Sequence, residues 1–394
     1  MNKYFLCFLI IVISRQTIAQ GELDYRPITR FTDGMGIISP DTSYMINFRF
    51  RMQNRVGMFT NSVTDWRPDE FEARVRRLRL RMDGFLVNPK FSYYIQLSFS
   101  RGDQDWDNSR IPNVVRDAAV FYFFNDYSYL CFGQTKLPGN RQRVVSSGML
   151  QFAERSIVNT EMNIDRDFGV RYFHQIGESV VFRNQVTIST GEGRNIITSD
   201  NGLAYTARTE ILPLGKFTGD GDYFEGDLLR EKSLKLALGA TISYNHKAIR
   251  TGGQIGSYFS TPTDIRTFVA DGIVKYQGFS LAVEVMYRNS LEQEVVLVEN
   301  SLTSYIYNGT GINVQCSYLW PSNYELAARY ANLSPKASIM NYHRGFNEIA
   351  LGATRYFNNH RVKAQMNVSY LQEGLFSVNS TARWATMFQV EVGI

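Results

Sequence analysis

This sequence of 394 residues lacks the long apolar run that a membrane-spanning helix requires. Such a helix needs roughly 20 consecutive apolar residues, and no segment beyond Gln20 comes near that length. A β-barrel stays possible, because a tilted strand crosses the bilayer with only about 9–11 residues. A chain that works outside the bilayer is the other possibility.

Cysteine and histidine are scarce as well, with three and four residues respectively. Only Cys131 and Cys316 lie beyond the N-terminal segment, which is too few for a disulfide framework. The histidines stand on separate segments without HExxH spacing, and neither a GxSxG elbow nor a phosphate-binding glycine loop is present. We therefore expect a protein that is not an enzyme, with no catalytic residues, no metal and no cofactor.

Two acidic stretches fall short of a calcium site. The stretch at 103–107 has the odd-position spacing of a calcium loop but lacks its central Gly and closing Glu. The stretch at 220–227 also fails the full pattern; its acidic residues are Asp220, Asp222, Glu225 and Asp227. We expect both stretches to be solvated loops.

The N-terminal residues are typical of an export signal. Lys3 supplies a positive charge, residues 4–13 are apolar, and Thr17 and Ala19 form a small-residue cleavage site before Gln20. An uncleaved anchor or a buried helix is the alternative, but about ten apolar residues are too few to span a bilayer. We predict a cleaved signal peptide at residues 1–19 and a periplasmic segment at 20–40.

Beyond residue 40 the dominant pattern is alternation of apolar and polar residues with a period of two. In a strand this period places successive side chains on opposite faces, whereas helical spacing is hard to find anywhere in the chain. Sixteen segments alternate in this way, with centres near residues 48, 77, 95, 120, 131, 171, 185, 208, 240, 272, 284, 315, 328, 352, 366 and 389. A soluble β-sandwich would also alternate, so the connections must distinguish the two folds.

From the second strand onward the connections tend to alternate between short and long. The predicted long connections are Arg101 to Asn113, Leu137 to Asp165, His246 to Arg266, Asn289 to Gly309 and Leu333 to Gly345. Short turns at one rim and long loops at the other are typical of outer-membrane barrels. Pro213 to Lys232 breaks this pattern, because it is long where a short turn is expected. We predict an all-β fold, a transmembrane antiparallel barrel of about 16 strands over residues 41–394.

The densest group of charges lies on the first two predicted strands. It consists of eight arginines: Arg49, Arg51, Arg55, Arg74, Arg76, Arg77, Arg79 and Arg81. In contact with lipid each would cost up to about 2–4 kcal/mol near the midplane, so we expect them to face a water-filled lumen. The change of parity at Arg76 and Arg77 predicts a β-bulge. A solvated face neutralised by Glu72, Asp83 and Glu284 is the other interpretation.

A second basic group lies at the end of the fifth strand and in the longest loop. If that loop folds into the lumen, as we predict, these cations form a constriction; outside it, they are surface charges. Arginine stays charged at any working pH and offers planar donors to oxyanions, so lumenal arginines would lower the barrier for anions. The predicted pore-lining and anion-binding residues are Arg49, Arg51, Arg74, Arg77, Arg79, Arg81, Lys136, Arg141, Arg143 and Arg155.

The alternation also predicts the environment of the two cysteines. Leu130 and Phe132 should face lipid, which turns Cys131 toward the lumen, while Cys316 shares the lipid-facing side of its strand. A disulfide needs Cα atoms within about 7 Å, and the two strands are far apart around the ring. We therefore predict that both thiols are free.

Several stretches resemble the phosphate-selective porin O and P family. They are RVRRLRLRMDGFLVNPKFSYYIQLSF at 74–99, FGQTKLPG at 132–139, QFAERSIVN at 151–159, RDFGVRYF at 166–173 and GDYFEGDLLREKSLKLALGA at 221–240. Their order is more specific than any one of them, and together they cover most of the mature chain. The last stretch includes the connection that breaks the turn pattern, so that connection looks like a family feature.

This resemblance implies a sixteen-stranded barrel, usually a homotrimer, that passes anions and in its best-known members prefers phosphate. In the family, selectivity depends on pore-lining Arg and Lys and on an inserted third loop. The arginines of the first two strands are the plausible matches, together with Lys136, Arg141, Arg143 and Arg155.

The predicted function is passive diffusion of small hydrophilic solutes through the outer membrane of a Gram-negative cell, with a preference for anions such as phosphate. The expected partners are outer-membrane lipids, these anions and two further copies of the chain. We expect no nucleic-acid partner, because the arginines alternate within strands of an exported chain. Two alternatives stay open: an adhesin or structural barrel, and a lipid hydrolase with a Ser–His pair assembled across strands.

Overall fold

The computed structural model describes residues 34–39, 41, 43–103, 113–196, 202–291, 295–297, 303–374 and 381–394. The predicted signal peptide and most of the predicted periplasmic segment lie outside these residues, as do Asp105 and Asp107. No helix in this part of the chain is long and apolar enough to cross a membrane.

The described residues form nineteen strands and two α-helices. The strands are β1 (Met35–Ile38), β2 (Tyr44–Thr60), β3 (Pro68–Leu86), β4 (Asn88–Ser98), β5 (Val115–Asn125), β6 (Ser128–Lys136), β7 (Arg166–Ile176), β8 (Val181–Ser189), β9 (Ala204–Leu212), β10 (Lys235–Arg250), β11 (Tyr258–Tyr276), β12 (Phe279–Ser290), β13 (Val295–Leu297), β14 (Thr303–Tyr305), β15 (Gly309–Leu319), β16 (Tyr324–Pro335), β17 (Phe346–Asn358), β18 (Val362–Glu373) and β19 (Thr381–Gly393). The helices are α1 (Arg141–Val144) and α2 (Ile157–Met162), and short 3₁₀ turns lie at Arg101–Asp103, Thr218–Tyr223 and Ala337–Ile339.

Sixteen of these strands close into an antiparallel barrel. β2 to β12 and β15 to β19 pair in chain order, and β19 pairs with β2 to complete the ring. β19 pairs with β2 only from Arg51 to Phe59. The extra strand β1 pairs with the same edge of β2 from Met45 to Phe48. β13 and β14 form a separate two-stranded sheet between β12 and β15. All sixteen strands predicted from the alternation are confirmed.

Side-chain burial in the barrel is inverted relative to a soluble protein. Phe50, Val56 and Leu130 are among the many large apolar side chains that are exposed, whereas polar Asn47 and Gln53 of the same region are buried. A barrel in lipid presents its apolar residues outward and keeps polar residues inside, so this distribution agrees with a membrane position. The outward apolar residues form no core of their own, because lipid takes the place of a packed partner.

The predicted bulge on β3 is confirmed. Gln53 pairs with Arg77, but the next residue, Asn54, pairs with Val75, so Arg76 is the extra residue. A bulge of this kind changes which residues face inward on its two sides. Arg76 and Arg77 consequently both border the lumen.

The predicted long loop from His246 to Arg266 is wrong. β10 continues to Arg250 and β11 begins at Tyr258, which leaves a connection of residues 251–257. Pairing continues beyond Asn245 and Ile265, although the register shifts on both sides of Ala248. Backbone hydrogen bonds between strands do not require an apolar face, so a polar stretch outside the membrane can extend the ladder.

Both cysteines have the predicted environment. Cys131 is buried on the lumenal face of β6, while its neighbours Leu130 and Phe132 are exposed. Cys316 is half-buried on the outer face of β15. Both thiols are free, which confirms the prediction.

Candidate functional site

Residues 137–165 form the third connection on their rim, after those that join β2 to β3 and β4 to β5. This connection folds into the lumen and is called the third loop below. Its α2 helix packs against the inner wall, where Val158 and Met162 join a buried apolar cluster with Val269, Met286 and Leu333. The predicted inward loop is confirmed. The sequence signals were its length and its position in the series of long connections.

Two glycines of the wall allow the third loop to approach closely. A Cβ atom on Gly311 of β15 would lie 2.6 Å from Cγ1 of Val158, and one on Gly352 of β17 would lie 2.9 Å from the ring of Phe152. Glycine in a strand often marks a site where another part of the chain comes close. The wall is therefore shaped to hold this loop.

Arg141 anchors the third loop to β9 and β11 of the barrel wall. Its guanidinium donates to Asp271 at 2.7 Å and to Glu210 at 2.9 Å, and both carboxylates also pair with Arg208. All four side chains are buried. Breaking such a buried pair costs about 3–5 kcal/mol, because a charge is left without a partner. Arg141 therefore holds the loop and does not border the cavity, contrary to its predicted place in the pore lining.

A second segment enters the lumen from the rim with the short turns. This β9–β10 insert, residues 213–234, is the connection that broke the turn pattern. Its Glu225 accepts hydrogen bonds from the backbone N of Gln151 at 2.9 Å and from Nε2 of Gln142 at 3.2 Å, both in the third loop. Glu225 also accepts from Nε2 of Gln315 on the wall at 3.0 Å. The two segments thus support each other inside the barrel.

The predicted solvation of the acidic stretches is wrong for four of their five described acidic residues, the exception being Asp220, which is half-buried and borders the cavity. Asp222, Glu225 and Asp227 are buried, and Asp222 pairs with Arg183. Asp103 is buried as well, and pairs with Arg79 at 2.6 Å. Sequence spacing could not show that these acids have basic partners on distant strands.

The lumen retains a cavity of about 550 Å³ between these two segments and the strand wall. Its lining contains fifteen Arg and Lys side chains against five carboxylates. Among the predicted site residues, those that border it are Arg49, Arg51, Arg77, Arg79, Arg81, Lys136, Arg143 and Arg155. Arg74 does not border it; that side chain is exposed and pairs with Glu72 at 2.6 Å.

Sequence reasoning left several cavity-lining cations out of its set of predicted site residues. They are Arg76, Arg116, Arg166, Arg171, Arg194, Arg250 and Arg361. Arg171 alternates with Val170 and Tyr172, which are exposed on the lipid side, so the period-two pattern contained the signal. Arg76 belongs to the dense group on β2 and β3, whereas the other six are isolated in the sequence and form no cluster.

The arginines of β2 and β3 are largely paired with carboxylates. Arg81 pairs with Asp83 at 2.6 Å, and Arg51 lies 3.7 Å from Glu391. The second interpretation of these arginines, a face neutralised by carboxylates, is therefore correct for part of this wall. Some carboxylates are shared, however, because Glu154 of the third loop contacts Arg55, Arg76 and Arg77 together. Positive charge remains in excess where one acid serves three guanidinium groups.

Three lumenal cations pair with no carboxylate among the described residues. Lys136 donates to the carbonyl of Val144 at 2.7 Å, and Arg155 donates to the carbonyls of Gln142 and Val145 at 2.7 and 2.8 Å. Arg171 donates to the carbonyl of Lys136 at 2.9 Å, and its other side-chain neighbour is the Cys131 thiol. Carbonyl oxygens satisfy donors without cancelling a full charge, so these three cations leave a net positive field in the cavity.

Two carboxylates of the third loop are held in their charged form. Partial burial raises the pKa of Glu154, but Arg77, Arg76 and Arg55 outweigh it and keep that pKa well below its ordinary 4.5. Asp165 behaves alike, because Arg143 and Arg166 outweigh burial and hold its pKa well below 3.8. A carboxylate whose pKa is lowered in the folded state stabilises the fold fully at any pH above its ordinary pKa. It loses this stabilising effect only as the pH falls through the lowered pKa.

Glu154→Gln is therefore expected to increase the preference of the lumen for anions, and to do so equally at about pH 7 and about pH 5. The substitution removes a negative charge that is present at both pH values, since the folded pKa lies below them. Reversal potentials of the wild type and the variant at each pH measure the difference in anion preference. Other groups that titrate between these pH values do not affect this difference, because both proteins contain them. A difference that vanishes at about pH 5 would contradict this result.

Comparison with known proteins identifies one family and several structures of similar fold. A family model for phosphate-selective porins O and P matches residues 46–375, which is most of the chain. No curated protein sequence matches significantly. Among solved structures, the outer-membrane channel DcaP of Acinetobacter baumannii is similar with a TM-score of 0.56 at 10% identity, covering 91% of this chain and 99% of that one.

Two further structures have the same architecture. OprB of Pseudomonas putida gives a TM-score of 0.56 at 10% identity, covering 90% of this chain and 95% of that one. In vitro folded OmpT of Vibrio cholerae, in its trimer form, gives 0.52 at 13% identity, covering 89% and 99%. At identities this low, the structural similarity shows a common fold and no more.

Proposed function

This chain belongs to the phosphate-selective porin O and P family and is an outer-membrane channel, and we propose that its lumen passes small anions, phosphate among them, in preference to cations. The observation that supports this preference most directly is the lining of the cavity, with fifteen basic side chains and five acidic ones. Fixed positive charge attracts anions and opposes cations, which changes the barrier for each in opposite directions.

The cations without a carboxylate partner are placed so that an anion can pass through the lumen and is not simply held there. Lys136 and Arg155 lie at the base of the third loop, where both donate to the carbonyl of Val145. An anion that reaches this region meets charge that no carboxylate has already neutralised. Conduction also requires that binding stays weak enough for release, and several separate cations along the wall meet that requirement better than one deep site.

Phosphate is proposed as a permeant ion because of the family and the chemistry of the lining. Arginine presents a planar fork of donors that matches the oxygens of an oxyanion. We further propose that the chain is neither an enzyme nor an adhesin, which agrees with its family.

Proteoliposomes test this proposal. Vesicles that contain the purified chain are expected to take up chloride and inorganic phosphate faster than potassium, with empty vesicles as the control. Faster uptake of potassium would overturn the anion preference. Absence of any protein-dependent uptake would overturn the proposed transport and favour a structural role.

We also propose that the chain forms a homotrimer, since the similar OmpT of Vibrio cholerae has a trimer form. Each insertion into a planar bilayer is then expected to add three equal conductance steps, because each barrel encloses its own lumen. Cross-linking of the purified protein provides the independent count of subunits. Single, isolated steps together with a monomeric mass would contradict the trimer.

The N-terminal residues complete the proposal. We propose that residues 1–19 direct export and are removed, and that residues 20–40 lie on the periplasmic side. N-terminal sequencing of protein from the outer membrane is expected to begin at Gln20. A sequence that begins at Met1 would contradict the cleavage.

A further inference from the structure

An aromatic patch borders the cavity on the wall formed by β5, β6 and β7. It consists of Phe121, Phe123, Tyr129 and Phe173. The rings of Tyr129 and Phe173 stack with centroids 4.8 Å apart, and those of Phe123 and Tyr129 lie 5.3 Å apart. Inward positions of a water-filled barrel are usually polar, so four adjoining apolar rings depart from the pattern of the remaining wall.

Strand register places this patch beside Arg171. Phe123, Tyr129 and Phe173 occupy one row across the three strands, next to the short turn between β5 and β6. Phe121 and Arg171 belong to the neighbouring row, with Cys131 between them. The row with Arg171 is therefore the first charged layer that borders the aromatic rings.

Arg171 is buried without a compensating charge. Its side chain is 4% exposed, and Nη1 donates to the carbonyl of Lys136 at 2.9 Å. Its buried Nε and Nη2 atoms have no oxygen acceptor, the Cys131 thiol on the adjacent strand is a neutral neighbour of the guanidinium, and no carboxylate of the described residues lies within ion-pair distance. A buried charge without a partner is costly, so a mobile anion gains more here than beside an arginine that already has a carboxylate.

We propose that Arg171 and the aromatic patch form a binding subsite for aromatic carboxylates in the channel. This inference rests on the proposed passage of anions and names a class of them. The guanidinium of Arg171 borders the cavity and can supply a charge-assisted hydrogen bond to a carboxylate. The half-buried ring of Phe123 presents an apolar face to the cavity, against which an aromatic ring can pack. Only a solute that has both a carboxylate and an aromatic ring can contact Arg171 and Phe123 together.

Single-channel recording with benzoate, acetate and benzyl alcohol tests this subsite. Benzoate is expected to interrupt the chloride current of the wild-type channel at concentrations where the other two compounds have no effect. Acetate has the carboxylate without the ring, and benzyl alcohol has the ring without the charge. The recordings use the full chain in planar bilayers, with each probe added from the periplasmic side.

Variants separate the two contacts. Arg171→Gln is expected to raise the half-blocking concentration of benzoate by about tenfold or more, because a charge-assisted hydrogen bond is lost. Phe123→Leu is expected to raise it by about threefold. Phe132→Leu is the matched control, since Phe132 lies on the lipid face of β6 and should leave the block unchanged. If Arg171→Gln does not insert, Arg171→Lys replaces it, because it keeps the charge and loses the planar fork.

Equal block by acetate and benzoate would overturn the subsite, and so would an unchanged half-blocking concentration in both the Arg171 and Phe123 variants. Chloride steps recorded without any probe keep this outcome separate from the proposed function. A wild-type channel that conducts chloride but is insensitive to benzoate defeats only the subsite. A wild-type channel without anion preference defeats the proposed function itself.

Discussion

Neutralising Lys136 and Arg155 together is expected to lower the anion-to-cation permeability ratio of the channel by about fivefold. The physical reason is that neither cation has a carboxylate partner in the described chain, so each substitution removes positive charge that no carboxylate compensates. A change of about 1 kcal/mol in the relative barriers is reasonable for two partly screened charges beside the ion path. Lys136→Gln with Arg155→Gln also retains donors for the carbonyls of Val144 and Val145.

The matched control removes two cations at exposed positions. Arg67 and Lys90 are both exposed and neither borders the cavity. The variant Arg67→Gln with Lys90→Gln has the same change in net charge and should keep the wild-type permeability ratio. Reversal potentials under a potassium chloride gradient provide the measurement. An unchanged ratio in the Lys136 and Arg155 variant, or an equal change in the control, would show that these lumenal cations do not determine selectivity.

The arginines of β2 and β3 provide a less direct test. Arg49, Arg51 and Arg79 pair with Asp83, Glu391 and Asp103, so their removal would take one cationic partner from each of three buried carboxylates. The remaining side chains of these charge networks would then rearrange, because a buried charge that loses a partner is destabilised. A changed current in those variants would combine the loss of charge with a change of structure.

Shortening the third loop is expected to raise the single-channel conductance roughly twofold or more, because the loop occupies lumen that ions would otherwise cross. The two ends of this loop are adjacent, since the backbone N of Leu137 donates to the carbonyl of Asp165 at 2.9 Å. Replacement of residues 142–162 by a short Gly–Ser linker can therefore bridge the gap without straining β6 or β7. Conductance in planar bilayers measures the effect.

A loop at the rim supplies the control for this deletion. Residues 61–67 join β2 to β3 outside the cavity lining. A short linker in their place removes chain without opening the lumen, so the conductance should stay at the wild-type value. If the third-loop variant also keeps the wild-type conductance, the loop does not limit the current and its inward fold is of structural importance only.

The strands were predictable because their signal is local. Alternation in a segment such as β18 follows from lipid on one face and polar lumen on the other, and five consecutive residues are enough to detect it. The bulge at Arg76 was predictable for the same reason, because two inward charges in succession break the period. Closure of the ring then follows from pairing of consecutive antiparallel neighbours.

The charge pairing inside the lumen was not predictable from local pattern. Arg141 and Asp271 are 130 positions apart in the chain and meet only because the third loop crosses the barrel. The burial of Glu225 depends in the same way on where the β9–β10 insert meets that loop. Sequence spacing could therefore identify the basic residues but not which of them a carboxylate would neutralise. Lys136 and Arg155 became distinct from the other candidates only when their partners were known.

The reversal potential of the wild-type channel under a potassium chloride gradient tests the central claim most directly. The claim is that excess positive charge in the cavity makes the channel prefer anions. The predicted result is a potential with the sign of chloride, which decreases in size as the salt concentration rises and screening increases. A potential of zero, or one with the sign of potassium, would contradict it.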